Sequence, residues 1–345
     1  MINIRDIAEK ANVSIATVSN VINNRGRVGE ETRKKIIKLI EDYNYKPNEI
    51  AKSLKLNKTD VIGVIAEDIS VFNTPEIING IHAAAEEKGL SILLTNMGLF
   101  KKNGNLFPEI NKCNEFAVPL FNQLVSSQVE GIIYIGIHPR DLTDVLPDSR
   151  KPIVYTYSYT RNEDDYTVNY NDEGASYRIT KHLISHGHSL IGLISGPINS
   201  ASSYARFQGY QRALNEHHLM FIPQFIKTGD WKYESGYSMT KDLLNQKEVP
   251  TAIIAMNDLM AAGSIQAIKD LGFQVPTDIS VVGFDNRELS DYISPRLTTM
   301  SLPLEEIGRK AMDILDQIRN SRTVSQKKYL LDCQLIERES VKSLQ

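Results

Sequence analysis

The sequence predicts an α/β fold in which a small helical head precedes a body of two similar parallel-sheet lobes. Three observations lead to this prediction. Residues 1–58 of the 345 hold twelve Lys and Arg against seven Asp and Glu, whereas the whole chain has a net charge of −3, so the remainder is acidic. From Val61 onward, short apolar runs alternate with helical stretches, as in parallel sheets covered on both faces. Two glycines in the first half of the body are separated by the same number of residues as two glycines in the second half.

The composition excludes several classes of protein. Apolar residues make up 41% and charged residues 23%, which are ordinary values for a globular protein. No apolar run approaches the roughly 18 residues of a membrane-spanning helix, and the first residues lack a signal-peptide pattern. Cys113 and Cys333 are the only cysteines, so neither a disulfide framework nor a cysteine zinc site is expected. We therefore expect a cytoplasmic protein without a membrane partner.

The head, residues 1–46, is predicted to contain three short helices. Asn3 can cap the first helix, with Asp6 completing a capping box, and Ser14 can cap the second. A third helix is predicted over residues 30–43. The short polar turn between the first two helices is typical of a helix-turn-helix, whose second helix presents its N-terminal residues to bases in the major groove. A helical bundle for protein contacts is the alternative, but the basic charge favours DNA.

A linker, residues 47–60, separates the head from the body, which covers residues 61–345. Residues 48–55 can form a helix, but it is too short and too polar to persist alone in water. We therefore expect this helix to fold only through contacts that it makes in a complex.

Seven apolar runs in the body are predicted as buried strands: residues 61–65, 91–94, 131–135, 153–155, 190–194, 252–255 and 279–283. Gly63 is followed 17 residues later by Gly80, and Gly192 is followed 17 residues later by Gly209, which indicates two equivalent lobes. The first lobe is longer, and the polar stretch 101–113 is predicted as its insertion. Because this stretch follows a strand, we expect it at the cleft side of the lobe, where it would form part of the rim and restrict which ligands enter. A disordered loop is the alternative.

Several short motifs carry a family resemblance. They are Ala11-Asn12-Val13-Ser14, Ala16-Thr17-Val18-Ser19 and Tyr45-Lys46-Pro47-Asn48 in the head, and Gly187-His188, Asn257-Asp258 and Gly283-Phe284-Asp285-Asn286 in the body. With them, essentially the whole chain resembles the LacI/GalR family of bacterial transcriptional regulators. The resemblance implies a DNA-binding head, a hinge helix and a periplasmic-binding-protein-like body with an effector in its cleft.

The resemblance also implies which residues face DNA. They are Ile15, Ala16, Thr17, Asn20, Asn23, Thr32, Ala51, Leu54 and Lys55. Ile15 and Ala16 would read thymine methyl groups and Asn20 can pair with adenine, whereas the threonines and Asn23 are assigned to phosphates. Leu54 corresponds to a residue that wedges into the minor groove, and its packing on the body is the alternative. Glu49 is an unfavourable residue for DNA contact, because a carboxylate near the phosphates weakens the binding of DNA.

Effector residues are predicted from the resemblance and from the rule that ligands lie outside the carboxyl ends of parallel strands. They are Ser70, Phe72, Asn73, His138, Tyr157, Arg206, Trp231, Asn257, Asp258 and Asp285. An aromatic face with a guanidinium and a carboxylate suits a sugar. Helix capping by Asp258 and a core position for Trp231 are the alternatives. Tyr157 replaces the Asp of many sugar-responsive relatives, so no particular sugar is transferred.

Motifs for catalysis are scarce. No phosphate loop, no His-Glu-x-x-His motif and no arrangement of nucleophile, base and orienting group is visible, so we do not expect an enzyme. His182 and His186 are four residues apart with His188 nearby, but surface histidines at a helix end are favoured over a metal site. Neither a metal nor a cofactor is expected.

The sequence therefore predicts a sequence-specific DNA-binding repressor controlled by a sugar or sugar derivative. Because one helix-turn-helix reads only a half-site, we expect a homodimer or higher homo-oligomer on palindromic operator DNA. A periplasmic-type sugar-binding protein and an α/β enzyme are the alternatives. Activation instead of repression stays open.

Overall fold

The computed structural model describes residues 2–22, 24–45, 59–103 and 110–344. The chain divides into two compact units, Met1–Thr59 and Asp60–Gln345. Some of the predictions lie outside the described residues: the DNA contacts Asn23, Ala51, Leu54 and Lys55, the helix over 48–55, and the middle of the 101–113 insertion. None of the described helices is long and apolar enough to cross a membrane.

The first unit contains three helices, α1 (Ile4–Ala11), α2 (Ile15–Ile22) and α3 (Glu30–Asp42). The predicted capping box is present, because the Asn3 side chain accepts from backbone amides of α1 while the Asp6 carboxylate accepts from the Asn3 amide at 2.7 Å. The Ser14 hydroxyl accepts from the Thr17 amide at 3.1 Å and so caps α2. One fully buried Ile on α1 and another on α3 form a small core with Val18 and Val21 of α2.

The second unit consists of two lobes, each built on a six-stranded sheet. The first sheet has the order β11-β5-β4-β3-β1-β2, and its strands are β1 (Val61–Ala66), β2 (Ser91–Asn96), β3 (Ile132–Ile135), β4 (Ile153–Thr156), β5 (Tyr166–Tyr170) and β11 (Lys328–Leu331). The second has the order β12-β10-β9-β8-β6-β7, with β6 (Ile191–Ser195), β7 (Ile226–Thr228), β8 (Ala252–Ala255), β9 (Ser280–Asp285), β10 (Thr298–Ser301) and β12 (Gln334–Ile336). The two orders are equivalent, so the two-lobed prediction is confirmed. Among the described strands, β12 alone runs antiparallel to its neighbour.

Helices cover both sheets. Those of the first lobe are α4 (Asn73–Glu87), α5 (Leu99–Asn103), α6 (Ile110–Ser126) and α12 (Leu304–Arg319). Those of the second lobe are α7 (Asp172–Ser185), α8 (Ala201–Glu216), α9 (Tyr233–Leu244), α10 (Asp258–Asp270) and α11 (Leu289–Tyr292), with a 3₁₀ turn at Pro223–Phe225. The chain passes between the lobes three times, after β5, β10 and β11.

The repeated glycines have a packing reason. A Cβ atom on Gly80 of α4 would lie 2.0 Å from the carbonyl oxygen of Glu305 on α12, and one on Gly209 of α8 would lie 2.1 Å from the carbonyl oxygen of Glu173 on α7. Both glycines therefore allow two helix backbones to touch. Each lobe uses the same close approach for the helix that follows its first strand.

All seven predicted strands are present, but five further strands were not predicted. These are β5, β7, β10, β11 and β12, which are three to five residues long and contain polar residues. In β5, for example, Thr167 and Asn169 are nearly buried although they interrupt the apolar run. A prediction based on continuous apolar runs misses such strands because their burial comes from tertiary packing.

Candidate functional site

A cavity of about 340 Å³ lies at the carboxyl ends of both sheets, with a wall drawn from both lobes. Its volume is in the range of small-molecule sites. Eight of the ten predicted effector residues lie on this wall: Ser70, Phe72, His138, Tyr157, Arg206, Trp231, Asn257 and Asp285. They follow seven different strands, and the sheet topology therefore brings together residues that are far apart in sequence.

Asn73 and Asp258 do not lie on the cavity wall. Asn73 is fully buried and its side-chain amide donates to the carbonyl oxygen of Gly136 at 3.1 Å. The Asp258 carboxylate is also fully buried, and it accepts from the Thr299 hydroxyl at 2.6 Å and from the Arg287 amide at 2.7 Å. Asp258 is not the cap of α10 either, because the Asn257 side chain accepts from the helix amide at 2.8 Å. Both residues instead hold the loops that carry wall residues.

The wall also contains residues that the sequence analysis did not select. They are Val71, Phe100, Ile137, Pro139, Tyr170, Ser200, Ser202, Leu259 and Arg287. Most follow a strand end, so the same rule could have found them. Tyr170 was missed because β5 was not predicted. Phe100 immediately precedes the predicted insertion, whereas Cys113 at the other end of that stretch is buried inside the first lobe.

Arg206, on α8, is the most densely bonded side chain of the wall and is almost fully buried. Its Nε donates to Asp172 Oδ1 at 2.6 Å, its Nη2 donates to the Tyr170 hydroxyl at 3.0 Å, and its Nη1 donates to the Met256 carbonyl oxygen. Burial lowers the pKa of Arg206, but Asp172 and then Tyr170 and Asp285 raise it, and the net direction is upward. The guanidinium therefore keeps its charge in a buried position.

Asp285 ends β9, and its carboxylate oxygen lies 3.9 Å from Arg206 Nη2. Burial raises the pKa of Asp285 above its ordinary 3.8, and the nearby charges of Arg206 and Arg287 lower it without cancelling the effect. The Asp258 carboxylate raises the same pKa further. Asp285 can therefore be protonated more readily than an exposed carboxylate and can donate as well as accept a hydrogen bond.

The indole of Trp231 is held against the backbone of a neighbouring loop. A Cβ atom on Gly196 would lie 2.0 Å from Trp231 Cζ2, so only glycine leaves room for the ring. The Asn257 side-chain amide donates to the Trp231 carbonyl oxygen at 2.9 Å. The guanidinium carbon of Arg206 lies 5.8 Å from the ring centre. Trp231 is thus a fixed aromatic face on the wall, partly buried against the core.

Three wall residues stand on strained backbone. Tyr157, Trp231 and Asp285 have φ angles of 53°, 72° and 107°, in the left-handed region that favours glycine. Such conformations cost on the order of 1–3 kcal/mol each and cluster at ligand sites. All three side chains line the cavity. Tyr157 also packs on Tyr170 of the neighbouring strand, with ring centres 5.4 Å apart.

The loop that carries His138 is fixed by a buried ion pair of the first lobe. The Glu67 carboxylate, fully buried, accepts from both terminal nitrogens of Arg140 at 2.6 and 2.8 Å and from the Ile137 amide at 2.9 Å. It also accepts from the Tyr134 hydroxyl at 2.7 Å. Burial, and then the charge of Arg140, lower the pKa of His138 well below its ordinary 6.5, so this imidazole is neutral at pH 7.

Helix α2 carries four of the five described DNA-facing candidates, Ile15, Ala16, Thr17 and Asn20, whereas Thr32 lies on α3. Val18 and Val21 are buried, whereas Ile15 is 44% exposed and Ala16 and Asn20 are exposed as well. Thr17 and Thr32 are partly exposed, and the Thr17 hydroxyl lies 2.9 Å from the Ser14 hydroxyl. The helix therefore presents both apolar and amide groups to solvent.

No group of three or more His, Cys, Asp or Glu side chains among the described residues could hold a metal ion. The rings of His182 and His186 pack at a tilt with centres 4.3 Å apart, and a Glu337 carboxylate oxygen lies 3.9 Å from His182 Nδ1. Cys113 and Cys333 are both buried as free thiols.

Comparisons with known proteins match both parts of the chain. Residues 3–48 match the family described as bacterial regulatory proteins, lacI family, and residues 180–341 match the periplasmic binding protein-like domain. The chain is 34% identical over 343 residues to catabolite control protein A of Priestia megaterium, covering 99% of each protein. It is 32% identical over 345 residues to the HTH-type transcriptional repressor PurR of Klebsiella pneumoniae subsp. pneumoniae, covering 99% of this chain and 97% of that protein. Among solved structures, the Lac repressor dimer bound to operator and the anti-inducer ONPF is similar with a TM-score of 0.81 and 27% identity, covering 99% of each chain.

Proposed function

Because the chain belongs to the LacI family of bacterial transcriptional regulators, we propose that it is a repressor whose operator affinity is controlled by a sugar or sugar derivative bound between the two lobes. The observation that carries this proposal is the meeting of Arg206, Trp231 and Asp285 on one cavity wall. A flat apolar ring beside charged hydrogen-bonding groups is complementary to a sugar, which has apolar ring faces and hydroxyl edges. The wall comes from both lobes, so a ligand there binds differently to different lobe arrangements, as an allosteric ligand must.

The DNA-binding side of the proposal rests on α2. Ile15, Ala16 and Asn20 face solvent together at the start and middle of this helix. We assign the first two to thymine methyl groups and Asn20 to an adenine edge, while Thr17 and Thr32 contact phosphates. The similar Lac repressor structure is a dimer bound to operator, and we extend this state to the present chain as a homodimer on a palindromic site in the cytoplasm.

Two other functions fit less well. A periplasmic sugar-binding protein would share the lobes but would not need the regulatory head matched at residues 3–48. An α/β enzyme would need a nucleophile with a base. The relatives reported above are regulators of transcription and not enzymes.

The cavity supplies its own reporter for a test, because Trp231 is the only tryptophan of the chain. The full-length protein is screened against mono- and oligosaccharides and their derivatives by intrinsic fluorescence, and the operator is selected from random-sequence duplex DNA. We expect one sugar class to change the fluorescence, to raise the melting temperature by mass action, and to change the affinity for the selected operator. Arg206→Lys should shift this response to higher sugar concentration, because lysine cannot reproduce the three donors that Arg206 directs at Asp172, Tyr170 and the Met256 carbonyl oxygen. Arg212→Lys, a half-exposed arginine on the same helix, is the matched control. Sugar binding without any change in operator affinity would contradict the proposal.

A further inference from the structure

Two guanidinium groups line the cavity, and their surroundings differ. Arg206 is neutralised by Asp172 at 2.6 Å. Arg287, on the loop after β9, has no carboxylate oxygen within 4.0 Å among the residues that the structure describes. Its guanidinium carbon lies instead 4.9 Å from the centre of the Phe72 ring, which belongs to the opposite lobe. The cavity therefore holds one guanidinium that forms no ion pair with a described carboxylate, and the charges of Asp285 and Asp258 act on it only from a greater distance.

The backbone fixes the position of Arg287. Its amide donates to Asp258 Oδ2 at 2.7 Å, and its carbonyl oxygen accepts from the amide and the hydroxyl of Ser290 at 2.8 and 2.7 Å. The preceding Asp285 and Asn286 have φ angles of 107° and 54°, which turn the chain sharply before the arginine. This residue is therefore placed on the wall by its own loop before any ligand arrives.

The aromatic contact leaves the guanidinium ready for an anion. The contact with the Phe72 ring is not a hydrogen bond, so it leaves the N–H groups of the guanidinium available for acceptors. Two of these groups in parallel match the two oxygens of a carboxylate or phosphate. Among the described wall residues Asp285 is the one acid; its carboxylate lies 3.9 Å from Arg206, and burial favours its protonated form. His138 is neutral, so it does not offset a ligand charge.

We propose that Arg287 selects an effector that carries an anionic group, a phosphate or a carboxylate on a sugar, over the neutral parent sugar. This inference rests on the proposed function, since it specifies the ligand of the same cavity. The Phe72 ring and the anion would then hold Arg287 from two sides, and the ligand would connect the second lobe to the first.

The test compares matched sugars on the full-length protein, with Trp231 fluorescence as the readout. Glucose, galactose, cellobiose and maltose are each titrated beside their 6-phosphates and their uronic or aldonic acids. We expect one acidic derivative to bind about tenfold or more tightly than its neutral parent, as for hydrogen bonds to a charged group. The phosphate and carboxylate arms identify which anion is taken. Arg287→Gln should weaken binding of the acidic derivative about tenfold more than binding of the neutral parent, whereas Arg212→Gln should change neither affinity.

Two results would overturn the inference: a neutral parent that binds as tightly as its acidic derivatives, or Arg287→Gln weakening both equally. In either case the proposed function stands as long as the sugar changes operator affinity. If no sugar of the panel binds, the sugar-controlled function and this inference both fail. Circular dichroism and the melting temperature of Arg287→Gln establish that the variant is folded.

Discussion

The indole ring of Trp231 occupies the space where a Cβ atom on residue 196 would stand, 2.0 Å from Cζ2. Gly196 and Trp231 are 35 residues apart in sequence and follow two different strands of the second sheet. The position of the main aromatic face of the cavity thus depends on the absence of one side chain.

Gly196→Ala should displace this ring and weaken effector binding. The φ angle of Gly196 is not in the left-handed region, so the effect comes from the collision and not from the backbone. Overpacking of this kind costs about 1–3 kcal/mol, and the Trp231 emission should shift to longer wavelength as the ring becomes more exposed. Gly29→Ala, where a Cβ meets nothing within 4 Å, is the control. An unchanged emission spectrum and effector affinity would show that the ring is not held as described.

The stability of the body should depend on pH through Asp285. Burial raises the pKa of this carboxyl, so the folded protein binds its proton more tightly than the unfolded chain does. Its contribution is fully present below the ordinary pKa, about 4, and is lost as the pH rises through the raised value. Asp285→Asn cannot ionise, so its melting temperature relative to the wild type should rise between pH 4.5 and 8.5. If the difference instead falls with rising pH, Asp285 behaves as an ordinary salt-bridged acid.

Glu67→Gln should destabilise the first lobe. The substitution keeps the shape but leaves the nearly buried Arg140 without its charge partner, which costs about 3–5 kcal/mol. Denaturant unfolding measures this cost. Effector affinity should also fall, since Glu67 holds the Ile137 amide beside His138. Glu339→Gln breaks the exposed pair with Arg296, whose charges water screens, and should cost much less than Glu67→Gln. If both variants lost the same free energy of unfolding, burial would not be what makes the Glu67–Arg140 pair important for stability.

Removal of the Asn20 side chain and removal of the Thr32 side chain should affect DNA binding in different ways. Asn20→Ala should relax discrimination at one base pair by about 1–3 kcal/mol, because a bidentate contact to a base edge is lost. Thr32→Ala should weaken binding to all sequences alike and leave discrimination unchanged. Fluorescence anisotropy with the selected operator and its single-base variants separates the two. A uniform loss for Asn20→Ala would place this residue on a phosphate.

Much of the architecture could be predicted from the sequence because it depends on local patterns. Continuous apolar runs predicted the central strands, and the capping residues Asn3 and Ser14 predicted where α1 and α2 begin. The repeated glycines indicated two equivalent lobes. These signals lie within a few residues of the elements that they specify, or recur at a fixed spacing.

The pairing of side chains in the cavity could not be predicted in the same way. Asp172, the partner of Arg206, lies 34 residues earlier in the chain, and Tyr170 was missed with its strand. Asp258 has the residue type and the position of a ligand-binding acid, but the packing of Thr299 and of the Arg287 amide directs its carboxylate into the protein. Such partners are set by the tertiary fold, which sequence spacing does not specify.

The central claim is that occupancy of the cavity controls binding to DNA, and one titration tests it most directly. Once an effector is identified, it is added to the protein–operator complex while Trp231 fluorescence and the anisotropy of labelled operator are recorded together. Both signals should change with the same midpoint, and Arg206→Lys should shift both midpoints to higher effector concentration by the same factor. An anisotropy change that persists unshifted in Arg206→Lys, while the fluorescence response is lost, would show that DNA binding is controlled from another site.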